Sequence, residues 1–439
     1  MPLPSPPATA TVVGGGPAGL IAAEVLAGAG LAVTVLDRMP SVGRKLLIAG
    51  HGGLNITHSE PLPGFVQRYG SAAPRIAPML EAFSPEDLRA WCEDLGEPTF
   101  VGSSRRVFPQ SFRANKLHRA WLARLAELGV EIRTRHRWTG WAEDAGPDGG
   151  DGVSRGGTAT RARAVRATAA DGVEHVLDSD VVVLALGGGS WPQLGSDGSW
   201  TDLLRKRGLA VTALRPANVG VRVPWTPLYA ERFAGVPLKH LALTVRGAGA
   251  PAVPGDAMIT AEGLEGGPVY AVGAAIRRAL DADGRCVVEL DLRPDLTVAE
   301  LEARLRRRRP KDSTSSWLRR SVGLDPASVG LLREATAGAI PGDAGAVAAL
   351  VKAVPVETRG TMPLAKAISS AGGLAWTEVD DALMLRTLPG TFVAGEMLDW
   401  EAPTGGYLLQ ASYSSGVVAA RGALAWLGRR ETPRGRVGE

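Results

Sequence analysis

Cysteine is nearly absent: Cys92 and Cys286 are the only two in 439 residues. With no C-x-x-C pair, a zinc ribbon is excluded and a dithiol redox centre is not expected; two separate buried thiols in a reducing compartment are expected. Aromatic residues make up only 5% of the chain, yet eleven of them are tryptophan. No apolar run approaches the roughly 20 residues that a membrane-crossing helix requires, so no membrane partner is expected. The opening Met1-Pro2-Leu3-Pro4-Ser5-Pro6-Pro7 has neither the basic nor the apolar segment of a secretion signal, which points to the cytoplasm. Charge of one sign is also lacking. The net charge is +4 with a pI near 9.2, and the cations are scattered. The one dense run, Arg304-Leu305-Arg306-Arg307-Arg308-Arg309, falls at the end of a helix-like segment, where the helix dipole favours cations. No aromatic residues interleave it, which argues against nucleic acid as the partner and leaves a small molecule. Oligomeric state is not legible from the sequence.

Glycine (56 residues) and proline (31) are plentiful, and the glycines cluster between apolar segments as turns do. Residues 9–13 read as a short buried strand, followed by a glycine cluster, an Ala/Leu-rich helix to about Ala29 and a second β-branched run from Leu31 to Leu36. Strand, helix and strand within about thirty residues make the crossover of a parallel sheet. Further along, Ser84 caps a helix to Leu95, residues 114–128 form an amphipathic helix, Val130–Arg135 is strand-like, Gly146–Gly157 is a loop, and residues 161–186 make a hairpin turned at Asp171-Gly172 that runs into a buried strand, Val181–Leu186. After residue 200 the texture changes to short β-like pieces (211–292) and then to Arg/Ala-rich helices (297–350). After Val354 the first style returns, with strands at Ala382–Leu388 and Thr391–Ala394 and a helix from Gly405. The expected fold is α/β: a discontinuous Rossmann-type domain at 8–200 and 352–430, interrupted at 205–350 by a β-barrel-like and helical substrate or cap domain.

Gly14-Gly15-Gly16-Pro17-Ala18-Gly19 is G-x-G-x-x-G, placed directly after a strand and opening a helix. Gly14 allows the tight turn, Gly16 lets a pyrophosphate approach the main chain, and Gly19 lets helix and strand pack closely; Pro17 and Ala18 complete the first helical turn, whose free N–H groups favour an anion. Asp37 ends the second strand eighteen positions after Gly19, where a carboxylate meets ribose hydroxyls, with Arg38 beside it. This much fits FAD or NAD. Three later features select the flavin. Gly43-Arg44-Lys45 is placed to meet the cofactor beyond its pyrophosphate. A close-approach turn, Gly187-Gly188-Gly189-Ser190, follows a buried strand. Thr391-Phe392-Val393-Ala394-Gly395-Glu396 is a strand ending in Gly-acid, after which Thr404-Gly405-Gly406 opens a helix able to stabilise negative charge at the carbonyl edge of a reduced isoalloxazine.

With these segments in view, the chain resembles a bacterial flavoprotein family that includes the bile-acid-reducing flavoproteins and the aminoacetone oxidases, within the glutathione-reductase-like FAD superfamily. The resemblance covers nearly the whole chain. It rests on Gly14–Gly19, on Gly43-Arg44-Lys45-Leu46-Leu47-Ile48-Ala49-Gly50, on Asn55-Ile56-Thr57, on Arg106-Val107-Phe108-Pro109, on Gly255 with Gly263-Leu264-Glu265-Gly266-Gly267-Pro268, on Ala394-Gly395-Glu396, and on Pro403-Thr404-Gly405-Gly406-Tyr407 with Gln410 and Ser414-Ser415-Gly416. Many members carry Gly-Gly-Arg-Cys-Asn where this chain has His51-Gly52-Gly53-Leu54-Asn55, and Asn where it has Leu408. These departures mark a divergent branch.

The expectation is an enzyme with non-covalent FAD that transfers hydride through flavin N5 to or from a small or medium organic substrate. No second G-x-G-x-x-G is present, so NAD(P)H would serve as a transient electron donor rather than occupy its own domain. Arg44, Lys45 and Asn55 are cofactor-proximal candidates. Acid–base or substrate-holding candidates are few: His51, His58, Arg106, Tyr270 and Tyr407. Two alternatives stay open at this point, an oxidase that uses O2 on an amine and a flavin-dependent RNA-modifying or RNA-binding protein.

Overall fold

The computed structural model describes residues 7–50, 53–142 and 164–428. The expected loop at Gly146–Gly157 and His51 lie outside the described residues. The chain forms two compact units. One runs to Arg215 and resumes at Ser370, and the other spans Pro216–Ser369.

The first unit begins with β1 (Thr9–Val13), α1 (Pro17–Gly28) and β2 (Ala32–Asp37). Pro17 stands at the first position of α1, where its missing N–H costs no intrahelical bond. α1 is buried along nearly its full length, because its small Ala and Gly positions allow packing on the sheet on one side and on a second helix on the other. The chain continues through α2 (Arg44–Ala49), β3 (Thr57–His58), α3 (Pro85–Asp94), β4 (Thr99–Val101), β5 (Arg106–Pro109), α4 (Ala114–Glu127), β6 (Glu131–Thr134) and β7 (Val181–Leu184). Ser84 and Asp87 close a reciprocal capping box at the start of α3. The hairpin at Asp171-Gly172 joins Val165–Ala169 to Glu174–Leu177.

The second unit contributes β8 (Val221–Arg222), β9 (Pro237–Val245), β10 (Val253–Thr260), β11 (Gly263–Glu265), β12 (Cys286–Asp291), β13 (Val354–Thr358) and β14 (Gly360–Thr361). They form one seven-stranded sheet in the order β13-β12-β9-β10-β11-β8-β14. The two outermost strands are joined by Arg359 alone, so the sheet must curl upon itself, which gives it a barrel-like character. Four helices, Val298–Leu305, Thr314–Val322, Pro326–Ala335 and Ala344–Lys352, follow β12 and bury Leu301, Trp317, Leu331 and Val347 in this unit's own core. The chain re-enters the first unit at Ser370 rather than near residue 352, because β13 and β14 complete the seven-stranded sheet.

The first unit then closes with β15 (Thr391–Val393) and α5 (Tyr407–Trp426). Its main sheet is parallel throughout, in the order β15-β7-β1-β2-β6. In a parallel sheet all carboxyl ends lie along one edge. The turns after β1, β7 and β15 therefore come together although they are separated by more than 370 positions of sequence. The segment Ala382–Leu388, expected as a strand, makes only isolated bridges, Val379 with Leu385 and Met384 with Phe392. The Leu383 carbonyl and the Leu385 N–H bond Val393 and Thr391 of the last strand at 2.9 and 2.8 Å, while the Ala382 and Met384 N–H groups go to the Asp380 carboxylate.

Candidate functional site

The first turn after β1 differs glycine by glycine. Gly14 has φ +109°, and a Cβ there would stand 2.2 Å from the Ala185 carbonyl oxygen. At Gly19 a Cβ would meet the Gly14 carbonyl oxygen at 1.9 Å, and at Gly15 it would meet Val42 at 2.3 Å. At Gly16 a Cβ would meet no atom of the described residues within 4 Å. Three of the four glycines thus serve the protein's own packing. Only Gly16, the cap of α1, turns its bare main chain outward beside the helix's free N–H groups.

Asp37 braces this turn. Its carboxylate accepts the Gly15 N–H at 2.8 Å and the Met39 N–H at 2.7 Å. Burial pushes its pKa up, and the two backbone bonds only partly oppose that. Gly43 N–H donates to the Gly15 carbonyl at 2.8 Å, which brings the start of α2 to the same turn. Beside it, Arg44 Nε is buried and has no hydrogen-bond partner among the described residues. His118 on α4 packs against Gly43, with burial lowering its pKa.

A second cluster joins three remote segments. Lys45 Nζ donates to Glu396 Oε2 and to Ser190 Oγ, each at 3.0 Å. Glu396 also accepts the Ser370 N–H at 2.8 Å and the Gly188 N–H at 3.4 Å, and Gly189 N–H reaches Ser370 Oγ at 2.9 Å. A Cβ on Gly188 would stand 1.8 Å from Ser370 Oγ, and Gly187 is left-handed at φ +71°. Gly395, at φ +78°, seats against Ala18 of α1, and its N–H donates to Ser415 Oγ of α5 at 2.9 Å. Gly416 allows this closeness, since a Cβ there would lie 2.4 Å from the Ala18 carbonyl oxygen.

The amino end of α5 is built around Tyr407. Gly405 and Gly406 precede it with φ of +124° and +98°, and a Cβ on Gly406 would clash with the Thr57 main chain at 2.5 Å. The Tyr407 hydroxyl donates to Glu60, which Arg68 clasps through two bonds of 3.0 and 2.8 Å. Tyr69 hydroxyl donates to the Tyr407 carbonyl at 2.9 Å, and the His58 ring stacks on Tyr407 at 5.3 Å. Glu60 N–H donates to His58 Nδ1, which leaves the ring proton on Nε2. Burial lowers the His58 pKa, so the ring is neutral near pH 7. The Tyr407 proton is committed to Glu60, and burial, then that bond, raise its pKa. Burial alone would raise the Glu60 carboxyl, but the bonds from Arg68 and Tyr407 outweigh it and hold its pKa below the ordinary 4.5. A carboxylate depressed in the folded state stabilises above its unfolded pKa and loses that contribution as pH falls through the folded value. Glu60→Gln is therefore expected to flatten the acid limb of the stability curve below about pH 4.5, read as urea midpoints between pH 3 and 7. An unchanged acid limb would show that Glu60 does not carry it.

The remaining sequence candidates divide. Arg38 pairs with Asp197 and donates to the Pro192 carbonyl at 2.8 Å, so its guanidinium braces a loop. Asn55 spends its amide N–H groups on the Thr57 and Val107 carbonyls, at 2.7 and 3.1 Å. Arg106 is exposed on β5 near Gly405, and Thr404 stands just before that glycine. Tyr270 lies in the second unit, with a pKa raised by burial and then by Glu265. Sequence reasoning missed Glu60, Arg68, His118 and Ser370. None has a local motif, and each gains meaning only from a partner far along the chain.

Open main chain at Gly16, an unpaired buried donor at Arg44, a carboxylate at Asp37 and a second acid at Glu396 fit an ADP-bearing cofactor with a polyhydroxyl linker. Residues 8–422 match the family described as HI0933-like protein Rossmann domain. The chain belongs to this family. The HI0933-like chain is 26% identical over 425 residues to the 3-dehydro-bile acid delta(4,6)-reductase of Clostridium scindens, covering 94% of this chain and 98% of that one. Among solved structures it is similar to the 3-ketosteroid delta1-dehydrogenase of Sterolibacterium denitrificans, with a TM-score of 0.51 and 14% identity over 95% of this chain and 99% of that one. It is also similar to a flavocytochrome c3 fumarate reductase in an open conformation, with a TM-score of 0.51 and 15% identity over 96% and 79% of the two chains. The two structural likenesses establish the fold. The HI0933-like protein is a FAD-dependent oxidoreductase.

Proposed function

We propose that this HI0933-like protein is a reductase that saturates a carbon–carbon double bond conjugated to a ketone in a rigid, fused-ring substrate, with NAD(P)H as a transient electron donor. The observation that carries this reading is the end-to-end correspondence with the bile acid reductase, which spans nearly the whole of both chains. No second dinucleotide fingerprint exists in the sequence, which suits a donor that visits rather than resides.

In this reading Gly14, Gly16, Pro17, Ala18 and Gly19 present the first turn of α1 to the pyrophosphate, and Asp37 takes the adenosine ribose. Lys45 and Glu396, with the turn at Gly187 and Gly188, receive the ribityl chain. The amino end of α5, at Thr404, Gly405 and Gly406, would hold the flavin ring, where its dipole would stabilise negative charge. Bound FAD supplies the hydride carrier at N5. Tyr407 is a positioning residue, because its proton is held by Glu60 and its ring fixes the first helical turn.

The test is an anaerobic titration of the yellow protein with NADH and NADPH, followed by a 3-keto-4-ene bile acid. Bleaching by the donor, then return of the oxidised spectrum with one saturated product per flavin, is the expected result. Bleaching that only O2 reverses, with peroxide released, would overturn the reductase reading.

A further inference from the structure

We propose that one face of the small sheet β4-β5-β3 is the substrate platform, shaped for a flat apolar ring system with an oxygen or carboxylate at one end. The inference rests on the reductase reading for its substrate class, but the surface itself follows from the ladder. His58 pairs directly with Arg106, and Phe100 with Phe108, across antiparallel strands. Directly paired residues project to the same face, and so do residues two apart on one strand. His58, Arg106, Phe108 and Phe100 therefore share a face. The other face carries Thr57 and Val107, both fully buried in the core.

Phe112 adds a third ring. The centroids of Phe100, Phe108 and Phe112 lie 5.0 to 5.8 Å apart. These rings belong to neither unit's main core. Phe100 and Phe108 are only half-buried, and Phe112 is 50% exposed. Phe112 has φ +53° and Arg105, just before β5, has φ +61°. A bulky residue in the left-handed region is strained and persists where the surroundings dictate it, which is common at binding sites.

The platform has polarity. At its other end Arg106 stands by Gly405 at the amino pole of α5, and His58 is neutral beside it. The acid facing that end is Glu60, already clasped by Arg68 and Tyr407. Among the described residues Arg106 has no ion pair, so the unspent charge is positive, next to the place assigned to the flavin. A ligand laid along this face rests its rings on Phe108 and Phe112 and turns its oxygen to Arg106.

Two probes separate this proposal from the reductase reading. Oxidised holoprotein is titrated with a 3-keto-4-ene bile acid and, separately, with 2-naphthoate, following the flavin absorbance. Phe108→Ala and Phe112→Asn are expected to raise the Kd of both probes about tenfold, with FAD content unchanged. Asn tolerates the left-handed backbone, so Phe112→Asn should not unfold the chain. Arg106→Ala should weaken both probes and Arg106→Lys should restore much of the loss. Val176→Ser, which removes another exposed apolar side chain, should change nothing. If naphthoate alone binds and the Phe variants lose it, the platform holds and the fused-ring ketone class falls. If the Phe variants bind the probes as tightly as the parent, or the parent binds neither, the platform is overturned.

Discussion

Gly16→Val is expected to yield a folded chain that purifies without FAD. The expectation follows from the contrast among the glycines of one turn. A Cβ at Gly16 meets no atom of the described residues within 4 Å, so valine is expected to cost the fold little. It does fill the space through which a pyrophosphate must reach the main chain and the free N–H groups of α1. Gly19→Ala should behave in the opposite way. Its Cβ would lie 1.9 Å from the Gly14 carbonyl oxygen, which forces β1 and α1 apart and should leave little soluble protein. Flavin-to-protein absorbance ratios and far-ultraviolet circular dichroism distinguish the two. A Gly16→Val protein with the parent's flavin content would show that the diphosphate does not lie here.

Glu24→Ala is expected to destabilise the first unit by about 3 kcal/mol or more. Glu24 lies in the middle of α1, only 5% exposed, and its carboxylate accepts both Trp91 Nε1 at 3.0 Å and Trp121 Nε1 at 2.8 Å. Arg124 approaches the other oxygen at 3.3 Å. The two indoles meet edge to face at 4.8 Å, with Tyr413 of α5 against both. Alanine would strand two buried indole N–H groups at once, at the junction of α1, α3, α4 and α5, while Arg124 keeps its 2.7 Å bond to the Asp94 carbonyl. Cys92, in the same pocket, is pushed up to about 12 by burial and then by Glu97, so it acts as a small apolar filler and offers no thiolate. Glu24→Gln keeps an acceptor and should lose less. Urea unfolding followed by tryptophan fluorescence reads both variants at the site itself. A loss below about 1 kcal/mol for alanine would mean that water or the unfolded chain compensates the stranded donors.

This pocket also explains part of a compositional oddity. Trp91, Trp121, Trp138, Trp141, Trp200 and Trp400 are all buried in the first unit's core. Trp91 and Trp121 each deliver their ring N–H to Glu24, and Trp200 and Trp400 deliver theirs to the Gly187 and Gly395 carbonyls at 2.9 Å. The last two brace the very turns that follow β7 and β15. A large ring with one polar handle can fill volume and satisfy a turn carbonyl together.

Local chemistry was sufficient for much of the design. Gly14–Gly19 after a β-branched run dictates its own turn, because only glycine accommodates the close approaches. The caps of α3 and the hairpin at Asp171-Gly172 are likewise decided within a few residues. Gly395-Glu396 and Gly405-Gly406 announced a returning strand and helix because those glycines break an apolar pattern in the right order. By contrast, Ala382–Leu388 has the composition of a strand, yet it makes only a two-bond bridge to β15, through the Leu383 carbonyl and the Leu385 N–H, while a turn at Asp380 takes the Ala382 and Met384 N–H groups.

The sequence by itself therefore determined the dinucleotide turn, the parallel crossover and the family of the chain, since each depends on residues within one or two elements of each other. Only the tertiary structure decided that Lys45 meets Glu396, that Glu60 and Arg68 hold Tyr407 some 340 positions away, and that His58, Arg106, Phe100 and Phe108 share one sheet face with the Phe112 ring beside it. Those pairings arise from the common edge of a parallel sheet and the register of a short antiparallel ladder. Both are set by the packing of whole elements, which no single stretch of residues encodes.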